Sequence, residues 1–149
     1  GDNIGDDKQR DDTEIKILNF AIKNKIPLLG VCRGMQVINN FFSGSIEKNN
    51  NLSHIVNSHH ITLVNNNIIS LLNKNTFEVN SFHNNIITNS NLGKNIEAFA
   101  ITDKDKTIEG FFHTSLPIVG VMWHPERDFN HENQLILEHI FNKKLFWNE

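Results

Sequence analysis

The stretch Pro27-Leu28-Leu29-Gly30-Val31-Cys32-Arg33-Gly34-Met35-Gln36 decides the fold class. Ile26 to Val31 is a short, continuous apolar run, the pattern of a strand buried on both faces and hence of a parallel sheet. Upstream, Ile15, Leu18, Ala21 and Ile22 recur at helical spacing behind the cap and first-turn candidates Asp11-Asp12-Thr13-Glu14. A helix from about Asp12 to Lys25 is predicted, ended by Pro27. Downstream, Met35, Val37, Ile38, Phe41 and Phe42 mark the apolar face of a second helix, stopped by Ser43-Gly44. Helix, strand, tight turn and helix in succession predict an α/β domain with helices packed on a sheet.

The middle of the chain changes character. His60 to Val64, Thr76 to Val79, Ile96 to Ile101 and Thr107 to Phe112 are short and β-like, separated by Asn, Gly and Asp turns. The asparagine patches Asn49 to Asn51 and Asn65 to Asn67 read as loop filler. Pro117 to Trp123 is a second buried-strand candidate, and Glu132 to Phe141 has the periodicity of a helix that returns to the sheet.

Bulk properties narrow the function classes. The 149 residues suit one domain. With 14 Lys and Arg against 17 Asp and Glu, unclustered, there is no basic footprint for nucleic acid. No apolar stretch approaches the roughly 20 residues that span a bilayer, and the first residues lack a signal pattern, so no membrane partner is expected. The single cysteine cannot form an internal disulfide, which points to a reducing compartment such as the cytoplasm.

Gly30-Val31-Cys32-Arg33-Gly34 is the cysteine counterpart of the G-x-S-x-G elbow, lying between a predicted strand and a predicted helix. Such a turn lifts the nucleophile above the sheet edge, and small residues two positions to either side let strand and helix approach closely. The helix that starts after Cys32 directs its N-terminal dipole at the sulfur and favours the thiolate. The backbone N–H of Arg33 then points where an oxyanion would form. A thiolate that cleaves an amide needs a histidine to hand a proton to the leaving amine, oriented by a third polar group. Of eight histidines, His124 stands out, because His124-Pro125-Glu126 directly follows the strand ending at Trp123. Pro125 keeps the segment extended, so Glu126 at i+2 can orient the imidazole. No metal is expected: H-E-x-x-H is absent, there is no second cysteine, and His59 and His60 are adjacent rather than spaced for chelation. His131 and His139 read as surface or helix-packing residues.

Pro27 to Gln36 and Gly120-Val121-Met122-Trp123-His124-Pro125-Glu126-Arg127 resemble the two signatures of class I glutamine amidotransferases. The nearer resemblance is to the γ-glutamyl hydrolase branch, to which Asn80-Ser81-Phe82-His83 is also similar. γ-Glutamyl-γ-aminobutyrate hydrolases and stand-alone amidotransferases of surface-polysaccharide clusters belong there. The resemblance implies a doubly wound, mostly parallel, flavodoxin-like three-layer sheet. It also implies a γ-glutamyl thioester on Cys32, a small-molecule γ-glutamyl substrate and no cofactor. By the same resemblance Gln36 holds the glutamyl group, and Ser81, Phe82 and His83 line its other side. Members of this family carry further strands and a helix before a Gly-rich loop that supplies the second oxyanion N–H, and Gly1 resembles the last glycine of that loop. Residues 1–149 are therefore expected to form one catalytic domain lacking its first strands. Three functions stay open: hydrolysis of a γ-glutamyl amide or amidate, a glutaminase subunit that passes ammonia to a synthetase partner, and a silent binding module of the same fold.

Overall fold

The computed structural model describes residues 3–48 and 58–147. Helix α1 spans Lys8–Asn24. It starts earlier than the spacing of apolar residues suggests because Asp7 is the cap, its carboxylate accepting from the Arg10 N–H at 3.0 Å. Lys25, in the left-handed region at φ 52°, closes it. Strand β1, Leu28–Val31, runs through Cys32 into α2, Arg33–Phe41. There follow β2 (Glu47–Lys48), β3 (Ser58–Leu63), α3 (Asn66–Leu72), β4 (Thr76–Asn80) and β5 (Asn85–Ile86). Then come β6 (Ile96–Thr102), β7 (Ile108–His113), β8 (Ile118–Val121) and α4 (His131–Phe141).

One expected loop is a helix. Asn65 is not filler: its side chain accepts from the N–H groups of Asn67 and Ile68 and caps α3, while Ile68 and Leu72 bury the next turn against the core. The other patch, Asn49 to Asn51, lies outside the described residues.

Six strands form one sheet in the order β1-β8-β7-β6-β3-β4, and β2 pairs with β5 apart from it. The α/β class and the helices on both faces are as expected, but the sheet is mixed rather than mostly parallel. β1 and β8 pair in parallel, whereas β8–β7, β7–β6, β6–β3 and β3–β4 are antiparallel. The cause lies in the connections: the links from β6 to β7 and from β7 to β8 are too short for the crossover of a dozen or so residues that a parallel neighbour demands.

Two apolar layers sandwich this sheet. On one face Leu18 of α1 and Met35, Val37 and Ile38 of α2 pack on Ile96, Ile108, Phe111 and Ile118. On the other, Ile68 and Leu72 of α3 and Ile136 and Ile140 of α4 pack on Phe77, Phe99, Val119, Val121 and Trp123. Each fully buried large side chain of this kind contributes about 1.5–3 kcal/mol. The register of β6 on β7 slips at Ala98/Ala100 and again at Ala100/Ile101, irregularities that bend and twist a strand. The sheet curls accordingly: Asn80, at the end of the edge strand β4, reaches the backbone of His124, the residue after Trp123 and on the far side of the sheet order.

Candidate active site

The parallel pair explains how two segments distant in the chain meet. β1 and β8 run in register from Leu28↔Ile118 to Val31↔Val121, and the Cys32 N–H donates to the Val121 carbonyl at 2.8 Å. Cys32 and the segment after Trp123 therefore emerge at the same, carboxyl end of the sheet.

At that edge Cys32 has φ 52° and ψ −102°, a conformation that non-glycine residues rarely adopt, and it stands immediately before α2. The two flanking glycines play different parts. A Cβ on Gly30 would lie 2.5 Å from Cδ1 of Ile38 and 2.6 Å from the carbonyl carbon of Gly34, so strand and helix meet over a bare Gly30. A Cβ on Gly34 would meet nothing within 4 Å. The close approach therefore demands a glycine at position 30 only, which narrows the sequence expectation for the pair. Arg33 opens α2, and its guanidinium pairs with Asp11 and, at 3.3 Å, with Glu14, fastening α1 across the start of α2.

His124 and Glu126 meet as their spacing predicts: Nδ1 of His124 lies 2.6 Å from Oε1 of Glu126. A carboxylate only accepts, so Nδ1 carries the proton and Nε2 is the nitrogen left to exchange one. The backbone of His124 is gripped from the side by Asn80, whose Oδ1 accepts from the His124 N–H at 2.8 Å and whose Nδ2 donates to the His124 carbonyl at 2.9 Å. In the sequence Asn80 is distinguished only as the neighbour of Ser81. Its signal was the Asn at the end of a predicted strand, without any hint of the segment it would hold.

Cys32, Arg33, Gln36, Phe82, His83 and His124 line one cleft of about 560 Å3, joined by Asn85 and Arg127. Gln36 is buried, not solvated; its Oε1 accepts from Nδ2 of Asn85 at 3.1 Å. Phe82 is 47% exposed, so it is no core residue: its ring meets that of His124 edge-on at 5.9 Å, with the Arg127 guanidinium 5.0 Å from its centre. Ser81 is fully buried and stands behind the cleft wall rather than among the residues that line it. Gly1 lies outside the described residues.

His83 turns its ring inward. Nδ1 is 2.9 Å from the Asn85 carbonyl, and Nε2 is 3.2 Å from Oε1 of Glu109, a carboxylate buried in β7. Nε2 of His59 lies 3.2 Å from the other oxygen, Oε2. Burial is the largest influence on His83 and lowers its pKa, but the hydrogen bond and charge of Glu109, with the Asn85 carbonyl and Asp105, together outweigh it and the net shift is upward. Burial raises Glu109, and the two imidazoles overcome that to leave its carboxyl below the ordinary range. His59, His83 and Glu109 are also the one group among the described residues whose ligand-type atoms cluster, all within 4.8 Å of one another. Adjacency had counted against His59 as a chelator, yet its partners come from another strand and a loop. No described helix is long and apolar enough to cross a membrane.

The γ-glutamyl-CDP-amidate hydrolase of Campylobacter jejuni is 36% identical over 135 residues, covering 91% of this chain and 60% of that protein. The glutamine amidotransferase-like protein YvdE of Lactococcus lactis is 29% identical over 152 residues, covering 94% of this chain and 60% of that one. A glutamine amidotransferase from Thermotoga maritima superposes with a TM-score of 0.69 at 17% identity, over 97% of this chain and 67% of the other, which establishes the likeness of fold. The chain thus spans about three fifths of the length of these two curated relatives. The Peptidase C26 family model matches residues 3–126, and to that family this chain belongs.

Proposed function

We propose that the chain carries the chemistry of a cysteine-dependent hydrolase that cleaves the γ-glutamyl amide or amidate bond of a small molecule. The observation that carries this reading is the strained Cys32 turn opening into the same cleft as His124, whose Nδ1 is held 2.6 Å from Glu126. The thiolate of Cys32 attacks the γ-carbonyl carbon, and the charge that develops on oxygen is met by the Arg33 N–H. As the C–N bond breaks, Nε2 of His124 gives its proton to the leaving nitrogen and a C–S thioester remains. Water then attacks the thioester, His124 takes its proton, and glutamate leaves as the thiolate reforms. Gln36, Phe82 and His83 line the cleft on the side where the glutamyl group would sit. The amidate form of the substrate is favoured by the Campylobacter relative, whose name specifies a γ-glutamyl-CDP-amidate. No step calls for a cofactor, and a thiolate nucleophile suits a reducing compartment such as the cytoplasm.

The test is glutamate release by the full-length protein from γ-glutamyl amides and amidates, with Cys32→Ala alongside. Release that falls by about 100-fold or more in the variant supports the reading. Equal rates for parent and variant, or no turnover with any substrate, refute it. Turnover of glutamine alone, and only with a co-purified synthetase, would turn the assignment to an ammonia-delivering subunit.

A further inference from the structure

The buried carboxylate of Glu109 is not used by the chemistry just described, although it touches a residue of the cleft wall. Hydrogen-bond inventory fixes what it holds. The Asn85 carbonyl can only accept, so Nδ1 of His83 must carry a proton. The Glu109 carboxylate can only accept as well, and Nε2 of His83 faces it at 3.2 Å. With one ring nitrogen against a carbonyl and the other within 3.2 Å of a buried carboxylate, His83 suits the imidazolium. A buried carboxylate needs a partner of opposite charge, and His83 supplies one while His59 covers the second oxygen. The groups facing His83 are Glu109 from β7, with His59 from β3 beside it and the charge of Asp105 from the turn between β6 and β7.

From His83 the connection runs to the cleft. Its ring holds the Asn85 carbonyl, Nδ2 of Asn85 donates to Oε1 of Gln36 at 3.1 Å, and Gln36 lines the cleft beside Cys32. An amide oxygen that accepts from Asn85, with Nε2 donating to the buried Met122 sulfur at 3.9 Å, fixes the direction of the Gln36 side chain in the cleft wall.

We propose that Glu109 is a positioning residue for substrate binding: through a doubly protonated His83 it fixes the loop of residues 81–85, and through Asn85 it fixes the side chain of Gln36. This rests on the γ-glutamyl reading of the cleft for its effect on substrate, although the state of His83 does not. The arrangement fits two protons better than one metal ion, because each imidazole meets its own carboxylate oxygen.

Two measurements on the full-length protein test it. Nitrogen-15 NMR of the histidine rings at pH 7 reads the state of His83 directly, with no variant needed. Two protonated ring nitrogens are expected, and a single one would overturn the proposal. In Glu109→Gln the ring is expected to become neutral. The KM for a γ-glutamyl substrate is then expected to rise about 10-fold or more, with kcat changing by less than about threefold. Asn85→Ala should raise KM similarly while His83 stays doubly protonated, so the relay remains testable if the Glu109 variant does not fold. An unchanged KM in both variants, or a fall in kcat alone, would overturn the proposal. So would zinc bound stoichiometrically to the parent protein and lost from Glu109→Gln. Absence of γ-glutamyl turnover in the parent would defeat the functional reading, and the NMR result would still decide the state of His83.

Discussion

Asn80 holds His124 by both ends of one residue, accepting from its N–H at 2.8 Å and donating to its carbonyl at 2.9 Å. The imidazole direction is thereby set from two sides, by Asn80 through the backbone and by Glu126 through Nδ1. Removing Asn80 leaves the ring attached to Glu126 but loosens the segment that carries it. Asn80→Ala should lower kcat/KM by about 10- to 100-fold and destabilise the fold by about 1–3 kcal/mol for two lost hydrogen bonds. Asn80→Asp keeps an acceptor for the His124 N–H and should lose less. Steady-state kinetics with urea melts of the three proteins would decide it, and wild-type kinetics in Asn80→Ala would sink the idea.

Cys32 sits at φ 52° in a region that suits glycine, and a side chain held there costs about 1–3 kcal/mol. Cys32→Gly should therefore raise stability by about 1 kcal/mol, or roughly 2–4 °C in Tm for a chain of this size, while abolishing hydrolysis. Cys32→Ala keeps the Cβ and the strain, so it should be equally inactive without the gain. Calorimetry on both variants separates backbone relief from loss of the thiol; identical Tm values would show that the turn stores no strain.

What could be read along the chain was what is local. The elbow and the His-Pro-Glu segment each lie within a few residues, next to apolar runs that identify the strands delivering them, and the in-register pairing of β1 with β8 brings them together. The antiparallel part of the sheet was less legible, because short β-like segments carry no sign of which neighbour they choose; link length decides it only from β6 to β7 and from β7 to β8. α3 was hidden because its seven residues have too little periodicity to outweigh an asparagine run, although Asn is among the best caps. The His59, Glu109 and His83 array needed the curl of the sheet. Its one linear signal was a lone carboxylate inside Ile108-Glu109-Gly110-Phe111-Phe112, a place where an acid must find a partner.

Glycine at position 30 is demanded by contact with backbone, and glycine at 34 is not. Gly30→Ala would force β1 and α2 apart, with an expected cost of about 1–3 kcal/mol or more and a displaced Cys32. Gly34→Ala adds a methyl to open space in a helix, where alanine exceeds glycine by up to about 1 kcal/mol, so it should be neutral or stabilising. Denaturant midpoints measured side by side read the contrast, and equal losses at the two positions would contradict the geometry.

The paired shifts of His83 and Glu109 set a pH window for stability. His83 is raised in the fold, so its contribution is fully present below the unfolded value of about 6.5 and disappears as pH climbs through the folded value. Glu109 is lowered, so its contribution is present above about 4.3 and disappears as pH falls through the folded value. Two other groups add to the acid limb: Glu132, lowered chiefly by Lys74, loses its contribution as pH falls, and His113, lowered by burial, resists the charge that acid imposes. The alkaline limb above about pH 6.5 rests on His83 among these groups. Urea melts from pH 4 to 9 should therefore show stability falling on the acid side from about 6.5, where the unfolded His113 starts to charge, and declining on the alkaline side as His83 loses its proton. In Glu109→Gln that decline should vanish. An alkaline limb that survives the substitution would mean that His83 is not the group responsible.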